Sequence, residues 1–266
     1  MTTSRKSPPV LSIIVPVHNH ARTIGPVLQA LRPFSDRNAE IIVVDGGSTD
    51  DTAILARPLA DQVIRSQPGL AQQMNEGAKV ASGFIFLFLR PETTLPQDAD
   101  TQVMYGRSRD TSVWGRFDLR IKGHHMMLPL VARFLNWRSR ASGLATSDQA
   151  IFVQRETFFR VGGFKPMPVM ADIELCQRLK AISPPICVTS RVTVPGDRYD
   201  RDGIWKTLRA TTAMRWRYRM GAKPEALAKR YAGETVATAS LRSRASGPTV
   251  EAKLDPRFRG DDRSMR

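Results

Sequence analysis

Val43-Val44-Asp45-Gly46-Gly47-Ser48-Thr49-Asp50 is the stretch on which the reading of this chain turns. It completes an apolar run, Glu40 to Val44 (EIIVV), whose β-branched residues predict a buried strand. An acid and two glycines follow. Ser48, Thr49 and Asp50 then offer an N-cap to a helix expected to run to about Arg57. An acid at the end of a second strand is a nucleoside-binding device, because its carboxylate accepts hydrogen bonds from ribose or base.

Upstream, Leu11 to Val17 (LSIIVPV) predicts a first strand, and Ala21 to Leu31 a helix with Ile24, Val27, Leu28 and Leu31 at helical spacing. Downstream, Asp61 to Arg65 reads as a third strand, Leu70 to Ala81 as a helix closed by Ser82-Gly83, and Phe84 to Leu89 as an apolar fourth strand. Such alternation predicts a Rossmann-like α/β fold, a mostly parallel central sheet with helices on both faces. Open sheets of this kind bind ligands outside the carboxyl ends of their strands, which here are His18-Asn19-His20, Asp45-Gly46-Gly47 and Arg90-Pro91-Glu92. The first of these loops has no G-x-G-x-x-G and the chain has no Walker sequence, which disfavours NAD, FAD and P-loop chemistry.

The second half is less regular. Strands are expected over Ser112 to Ile121 and Gln149 to Val153, with a strand pair around Pro185–Val194. Helices are expected over His124 to Arg140, Arg155 to Val161, Ala171 to Ala181, Gly203 to Met220 and Pro224 to Tyr231. In the His124 helix, Leu128, Val131, Phe134 and Leu135 form the apolar face. Residues 1–10 and the Ser/Arg/Gly-rich stretch 232–266 read as disordered, leaving one domain over 11–231 with halves 11–106 and 107–231.

The net charge of +15 is unevenly spread: residues 107–140 hold 8 Lys/Arg against 2 Asp/Glu, and residues 198–231 hold 10 against 3. This suits an anionic partner or a membrane-surface docking face. Trp205, Trp216 and Tyr218 interleave with arginines in 203–220, a pattern that fits anionic lipid headgroups or a core helix with a solvated basic face. No specific nucleic acid is implied. The start is polar and no apolar run approaches the ~20 residues of a spanning helix, so the expected location is cytoplasmic, at most peripheral at the inner face of the membrane. Cys176 and Cys187 fit neither a metal-ligand spacing nor a disulfide framework and read as small core residues.

Taken together, Val15-Pro16-Val17-His18-Asn19, the Val43–Asp50 block, Gly69-Leu70-Ala71 with Met74-Asn75-Glu76-Gly77, and Gly162-Gly163-Phe164 followed by Met170-Ala171-Asp172 resemble family 2 glycosyltransferases of the GT-A type. Trp114-Gly115-Arg116-Phe117-Asp118 and Ser147-Asp148-Gln149-Ala150-Ile151-Phe152 are similar to a subgroup associated with radical-SAM (selenodomain) or arsenosugar gene clusters. The resemblance implies a single-sugar, inverting transfer from a nucleotide sugar, by default a UDP-sugar, to an unidentified acceptor, which the basic segments suggest is anionic or membrane-associated. The Q-x-x-R-W signature of processive synthases is absent.

The resemblance makes Asp172 the general base and makes Pro16, Val17, Asn19, Asp45, Gly46, Gly69 and Arg90 nucleotide-binding. It gives Asp148, Gln149, Arg198 and Tyr199 to the diphosphate or the acceptor. Glu92 stands where the family has a metal-bridging aspartate, so either a divalent metal, Mn or Mg, bridges Glu92 to the diphosphate, or Arg90 neutralises the diphosphate directly. His20 and Ala171 also replace family acids, and the three departures leave open a nucleotide-sugar-binding pseudoenzyme. A nucleotidyltransferase would need a Gly-rich basic loop after the first strand, which is missing.

Overall fold

A computed structural model describes residues 8–109 and 112–230. Seven strands form one sheet: β1 Leu11–Val17, β2 Ala39–Asp45, β3 Gln62–Arg65, β4 Ile85–Phe88, β5 Trp114–Lys122, β6 Phe152–Gln154 and β7 Ile186–Pro195, in the spatial order β3-β2-β1-β4-β6-β5-β7. The first four pair in parallel. β6 runs antiparallel to both β4 and β5, and β7 is parallel to β5. The sheet is therefore mostly parallel, as expected, and turns mixed where the second half of the chain joins it.

The helices are α1 Ile24–Asp36, α2 Thr52–Ala56, α3 Leu70–Val80, α4 Ala99–Arg109, α5 Leu128–Ser142, α6 Arg155–Arg160, α7 Ala171–Lys180, α8 Asp197–Asp202 and α9 Ile204–Arg219, with a further helical stretch at 224–230. Successive strand residues point to opposite faces, and this splits the core in two. Ile13, Val15, Ile41, Val43, Ile85 and Leu87 face Ile24, Leu28 and Phe34 of α1. Ile14, Ile42, Val44, Phe86 and Phe88 face Ala71, Met74 and Ala78 of α3 and Leu175 and Leu179 of α7. Because both faces are covered, the strands read as continuous apolar runs rather than alternating ones.

Several boundaries differ from the sequence reading for local reasons. Pro33 predicts an early end to α1, yet the helix continues past it because Phe34 is buried in the core. α2 starts only at Thr52: Ser48 bonds to Asp45, and the Asp50 carboxylate accepts from the backbone N–H groups of Ala21 and Thr52. The strand expected from Gln149 begins at Phe152, because Ser147–Gln149 form a 3-10 turn and Ala150 adopts a left-handed conformation at φ 46°. The pair expected around Pro185–Val194 is one strand, β7, with a register shift opposite Phe117/Asp118. Phe134, placed on the core face of α5, is exposed.

α4 and α8 carry no clear apolar period and are not legible in the sequence, and the division at 106/107 falls inside α4. Of the segment 1–10, residues 8–10 are described: Pro8 O accepts from Asn38 Nδ2 and Val10 O from Ile85 N–H. Residues 1–7 and the stretch 232–266 lie outside the described residues.

α3 lies unusually close to the sheet. A Cβ on Gly77 would fall 2.5 Å from Ile14 Cγ2 and 2.8 Å from Val44 Cγ2, both in the buried core. Overpacking costs about 1–3 kcal/mol, against about 1 kcal/mol gained in helix propensity. Gly77→Ala is therefore expected to lower unfolding stability by about 1 kcal/mol in urea titration. A gain in stability contradicts the close approach.

Candidate active site

Parallel register sets Val17 beside Asp45, so the loops after β1 and β2 leave the sheet together. They are sewn to each other. Gly46 N–H donates to Val17 O at 2.9 Å, and Asn19 N–H to Ser48 Oγ at 2.9 Å. Asn19 Oδ1 accepts from Thr49 N–H at 2.9 Å while its backbone adopts φ 56°. Asp45 is 2% exposed, and its Oδ1 accepts from the Ser48 backbone N–H at 3.0 Å and from the Ser48 hydroxyl. Its Oδ2 faces the Arg65 guanidinium at 3.9 Å. Pro16, Val17 and Gly46 are buried as well, so they form the floor of this shelf rather than open surface. Gly69, exposed and at φ 133°, precedes α3.

A cavity of about 680 Å³ opens elsewhere at the same end of the sheet. It gathers Arg90, Glu92, Asp148, Gln149, Asp172, Arg198 and Tyr199, and leaves out Pro16, Val17, Asn19, Asp45, Gly46 and Gly69. Expected residues thus form two neighbouring sets, a shelf and a cavity.

Arg90 links the two halves of the chain. Its Nε lies 3.3 Å from Glu92 Oε2 and its Nη1 3.4 Å from Asp148 Oδ1. Enclosure works against its charge, but the Asp148 and Glu92 carboxylates together hold Arg90 above the ordinary arginine range. Asp148 lines the cavity with its side chain half exposed. Desolvation by the surrounding protein pushes its carboxyl up, against the pull of Arg90. Gln149 points away: its Oε1 accepts from Thr146 N–H at 3.2 Å and its Nε2 donates to Phe117 O at 3.4 Å. Arg198 and Tyr199 sit on the short α8, and burial, then the Asp148 charge, raises the Tyr199 phenol.

Asp172 occupies the first turn of α7, where the helix dipole favours a negative charge. Its Oδ2 accepts from the Ser147 backbone N–H at 2.8 Å and from Ser147 Oγ at 3.1 Å, and its Oδ1 from Ile173 N–H at 2.8 Å. These bonds fix the carboxylate while leaving it on the cavity wall. The residue before α7, Met170, holds φ 67°, a left-handed conformation costing about 1–2 kcal/mol outside glycine.

The approach to α7 is braced. Asn75 Nδ2 donates to Phe164 O at 2.7 Å, and Phe164 N–H to Asn75 Oδ1 at 2.9 Å. A side chain at Gly163 would strike Asn75 Oδ1 at 2.7 Å. Arg178 grips Glu174 and donates to Gly163 O at 2.7 Å and to Val161 O, and Lys165 reaches Glu174 at 2.6 Å. Burial opposes ionisation of Glu174, but the bonds from Arg178 and Lys165 prevail and hold its carboxyl below the ordinary range. Glu174 is structural, as its position two residues beyond Asp172 suggests. Asn75 and Ser147 stand in motif blocks that give them no role, and only three-dimensional pairing assigns one.

A resident divalent cation needs several oxygen ligands. Among the described residues no group of three His, Cys, Asp or Glu side chains converges. Glu92 Oε1 faces His20 Nε2 at 3.7 Å and its Oε2 faces Arg90. The donor set does not fit a protein-held metal, since Glu92 and Asp148 are both already engaged by the Arg90 guanidinium.

With this geometry in view, residues 12–175 match the model for glycosyl transferase family 2, and the chain belongs to that family. It is 28% identical over 221 residues to a PGL/p-HBAD biosynthesis glycosyltransferase of Mycobacterium bovis, covering 73% of this chain and 78% of that protein. It spans 62% of the length of an uncharacterised Mycobacterium tuberculosis relative, at 26% identity over 64% of this chain. In fold it is similar to the mannosyltransferase PcManGT from Pyrobaculum calidifontis in complex with GDP-Man and Mn2+ (TM-score 0.59, 20% identity, 91% of this chain, 77% of that one). It is also similar to residues 1–349 of TarS from S. aureus in complex with UDP-GlcNAc (TM-score 0.56, 16% identity, 70% of this chain, 58% of that one). These neighbours have the GT-A fold, and the sheet with its flanking helices matches them.

Proposed function

We propose that this chain moves a single sugar, with inversion, from a nucleotide-sugar donor to an acceptor hydroxyl. The observation that carries this reading is the Asp172 carboxylate, anchored by Ser147 on the wall of the cavity that also holds Arg90. Asp172 takes the acceptor's hydroxyl proton. The oxygen attacks the anomeric carbon, the bond to the diphosphate oxygen breaks, and the electron pair leaves with the nucleoside diphosphate. Arg90 and Arg198 stabilise the growing charge. The nucleoside rests on the shelf at Asp45. UDP is the proposed nucleotide by family resemblance; of the two neighbours, PcManGT holds GDP-Man and TarS holds UDP-GlcNAc. The finer likeness to the radical-SAM or arsenosugar subgroup rests on the Trp114–Asp118 and Ser147–Phe152 blocks alone.

Arg90, held between Glu92 and Asp148, supplies the positive charge that neutralises the diphosphate. The second reading, a binder without turnover, draws on the replacements His20, Glu92 and Ala171. One set of assays separates the two. Calorimetry should show UDP or GDP binding that does not require Mn2+, and Asp172→Asn should reduce transfer at least about a hundredfold with nucleotide affinity nearly unchanged. Equal loss of binding and transfer contradicts the role of Asp172, and binding that requires Mn2+ contradicts that of Arg90.

We also propose that the acceptor is met at an anionic membrane surface. Among the described residues no helix is long and apolar enough to cross a membrane. α5 instead exposes Leu130, Phe134 and Trp137 at i, i+4 and i+7, beside Arg133 and Arg140. α9 exposes Trp205, Arg209, Trp216 and Arg219 along one stripe. Aromatic and aliphatic side chains interleaved with arginine suit a headgroup layer, and both helices also wall the cavity. Exposed Leu130 and Met220 have no role in stacking on nucleic-acid bases. The protein should float with vesicles containing phosphatidylglycerol and not with phosphatidylcholine alone, and Trp137→Ala with Trp216→Ala should weaken flotation. Indifference to anionic lipid contradicts the docking face.

A further inference from the structure

Arg116 meets Asp118, Arg178 meets Glu174, and Arg90 meets Asp148 and Glu92. Arg138 on α5 and Arg215 on α9 are arranged differently. Both line the cavity, and among the described residues no carboxylate stands within ion-pair distance of either. Nε and Nη1 of Arg138 are shielded from solvent without any hydrogen-bond partner, and its guanidinium lies 6.0 Å from the centroid of the Phe134 ring. Burial, and then the like charge of Arg215, pushes Arg138 down to about 10. Burial pushes Arg215 down as well, opposed by the fields of Asp172 and Asp148.

Two half-buried cations lining one cavity are costly unless something neutralises them, and buried donors without partners call for a ligand or ion. The fields of Asp172 and Asp148 reach Arg215, but among the described residues neither carboxylate forms an ion pair with it, and none forms one with Arg138. Arg90, at the end of β4, already serves the donor side. Arg138 and Arg215 come from the two most basic segments of the chain, and the field of Arg215 reaches Asp172.

We propose that Arg138 and Arg215 form a subsite for an anionic group of the acceptor, a phosphate or a carboxylate, separate from the place of the donor diphosphate. A guanidinium pair clamps such a group with charge-assisted hydrogen bonds and so presents the neighbouring hydroxyl to Asp172. The reaction that supplies the acceptor then leaves a phosphate or carboxylate on it. The assignment to the acceptor rests on the glycosyltransfer reading above; the anion subsite itself does not.

Inorganic phosphate is the probe. It should bind the protein already saturated with UDP or GDP, and raise its melting temperature. Arg138→Gln and Arg215→Gln should each weaken phosphate binding about tenfold or more, with nucleotide affinity unchanged. Without phosphate, each variant should melt no lower than wild type, because like-charge repulsion is relieved. Phosphate affinity unaltered in both variants overturns the subsite. Phosphate that competes with nucleotide, or nucleotide affinity that falls in step, gives the pair to the donor diphosphate and overturns the assignment. If neither nucleotide binds while phosphate still binds through these arginines, the transfer reading fails and the anion subsite stands. A vesicle arm separates the sources of the anion. Variants that lose flotation on phosphatidylglycerol show a headgroup in the site, and variants that float like wild type show an anion carried by the acceptor itself. Both results uphold the subsite.

Discussion

The buried side-chain amide of Gln73 donates to Val17 O at 2.9 Å and to Val44 O at 2.8 Å. With one NH2 group it ties the last turn of backbone on β1 and β2 to α3, at the point where both loops leave the sheet. Gly46 has to be a glycine there, because a Cβ would lie 2.8 Å from the Gln73 side chain. The bare backbone of Gly77 one turn later lets α3 settle on Ile14 and Val44. Between them, Asn75 reaches across to Phe164, and Phe164 leads to α7 and Asp172. A short relay from one amide thus sets the shelf at the ends of β1 and β2 and braces the candidate base. Removing either Asn75 bond would leave a backbone group of Phe164 short of its partner, at about 1–3 kcal/mol.

Charge is arranged on that frame in two different ways. Around Arg90, cation and carboxylates are matched, with Glu92 and Asp148 on either side, so an incoming diphosphate exchanges partners rather than meeting bare charge. Arg138 and Arg215 line the same cavity with no ion-pair partner among the described residues, and two Arg138 donors are buried without a hydrogen bond. One region is balanced and the other awaits an anion. The cavity floor between them is Asp148, whose carboxyl is held up by desolvation, and Asp172, fixed by Ser147. On the proposed reading, this division separates the donor side of the cavity from the acceptor side by charge.

Much of the fold was legible because the first half obeys local rules. β-branched runs ending at Val17, Val44 and Leu89, with amphipathic segments between them, define parallel strands and crossovers without reference to the rest of the chain. The second half depends on long-range pairing. β6 is only three residues long and gains its place by antiparallel pairing with β4 and β5, which no local pattern announces. Asp172 was visible because it stands in a recognisable loop-to-helix block. The partners that position it, Ser147 and Asn75, were not, since their role arises from residues 25 and 89 positions away. Gln149 illustrates the reverse: a polar residue in a motif whose amide is consumed by backbone. The basic excess was plain in the sequence, but only the cavity separates exposed arginines from the enclosed, partnerless pair.

The measurement that bears most directly on this account is a crystal structure of the protein with UDP or GDP. The account predicts the nucleoside on the shelf at Asp45, the diphosphate against Arg90, and Asp172 facing the cavity with its Ser147 bonds intact. A nucleotide bound with its diphosphate on Arg138 and Arg215, or lying away from Asp45, would contradict it.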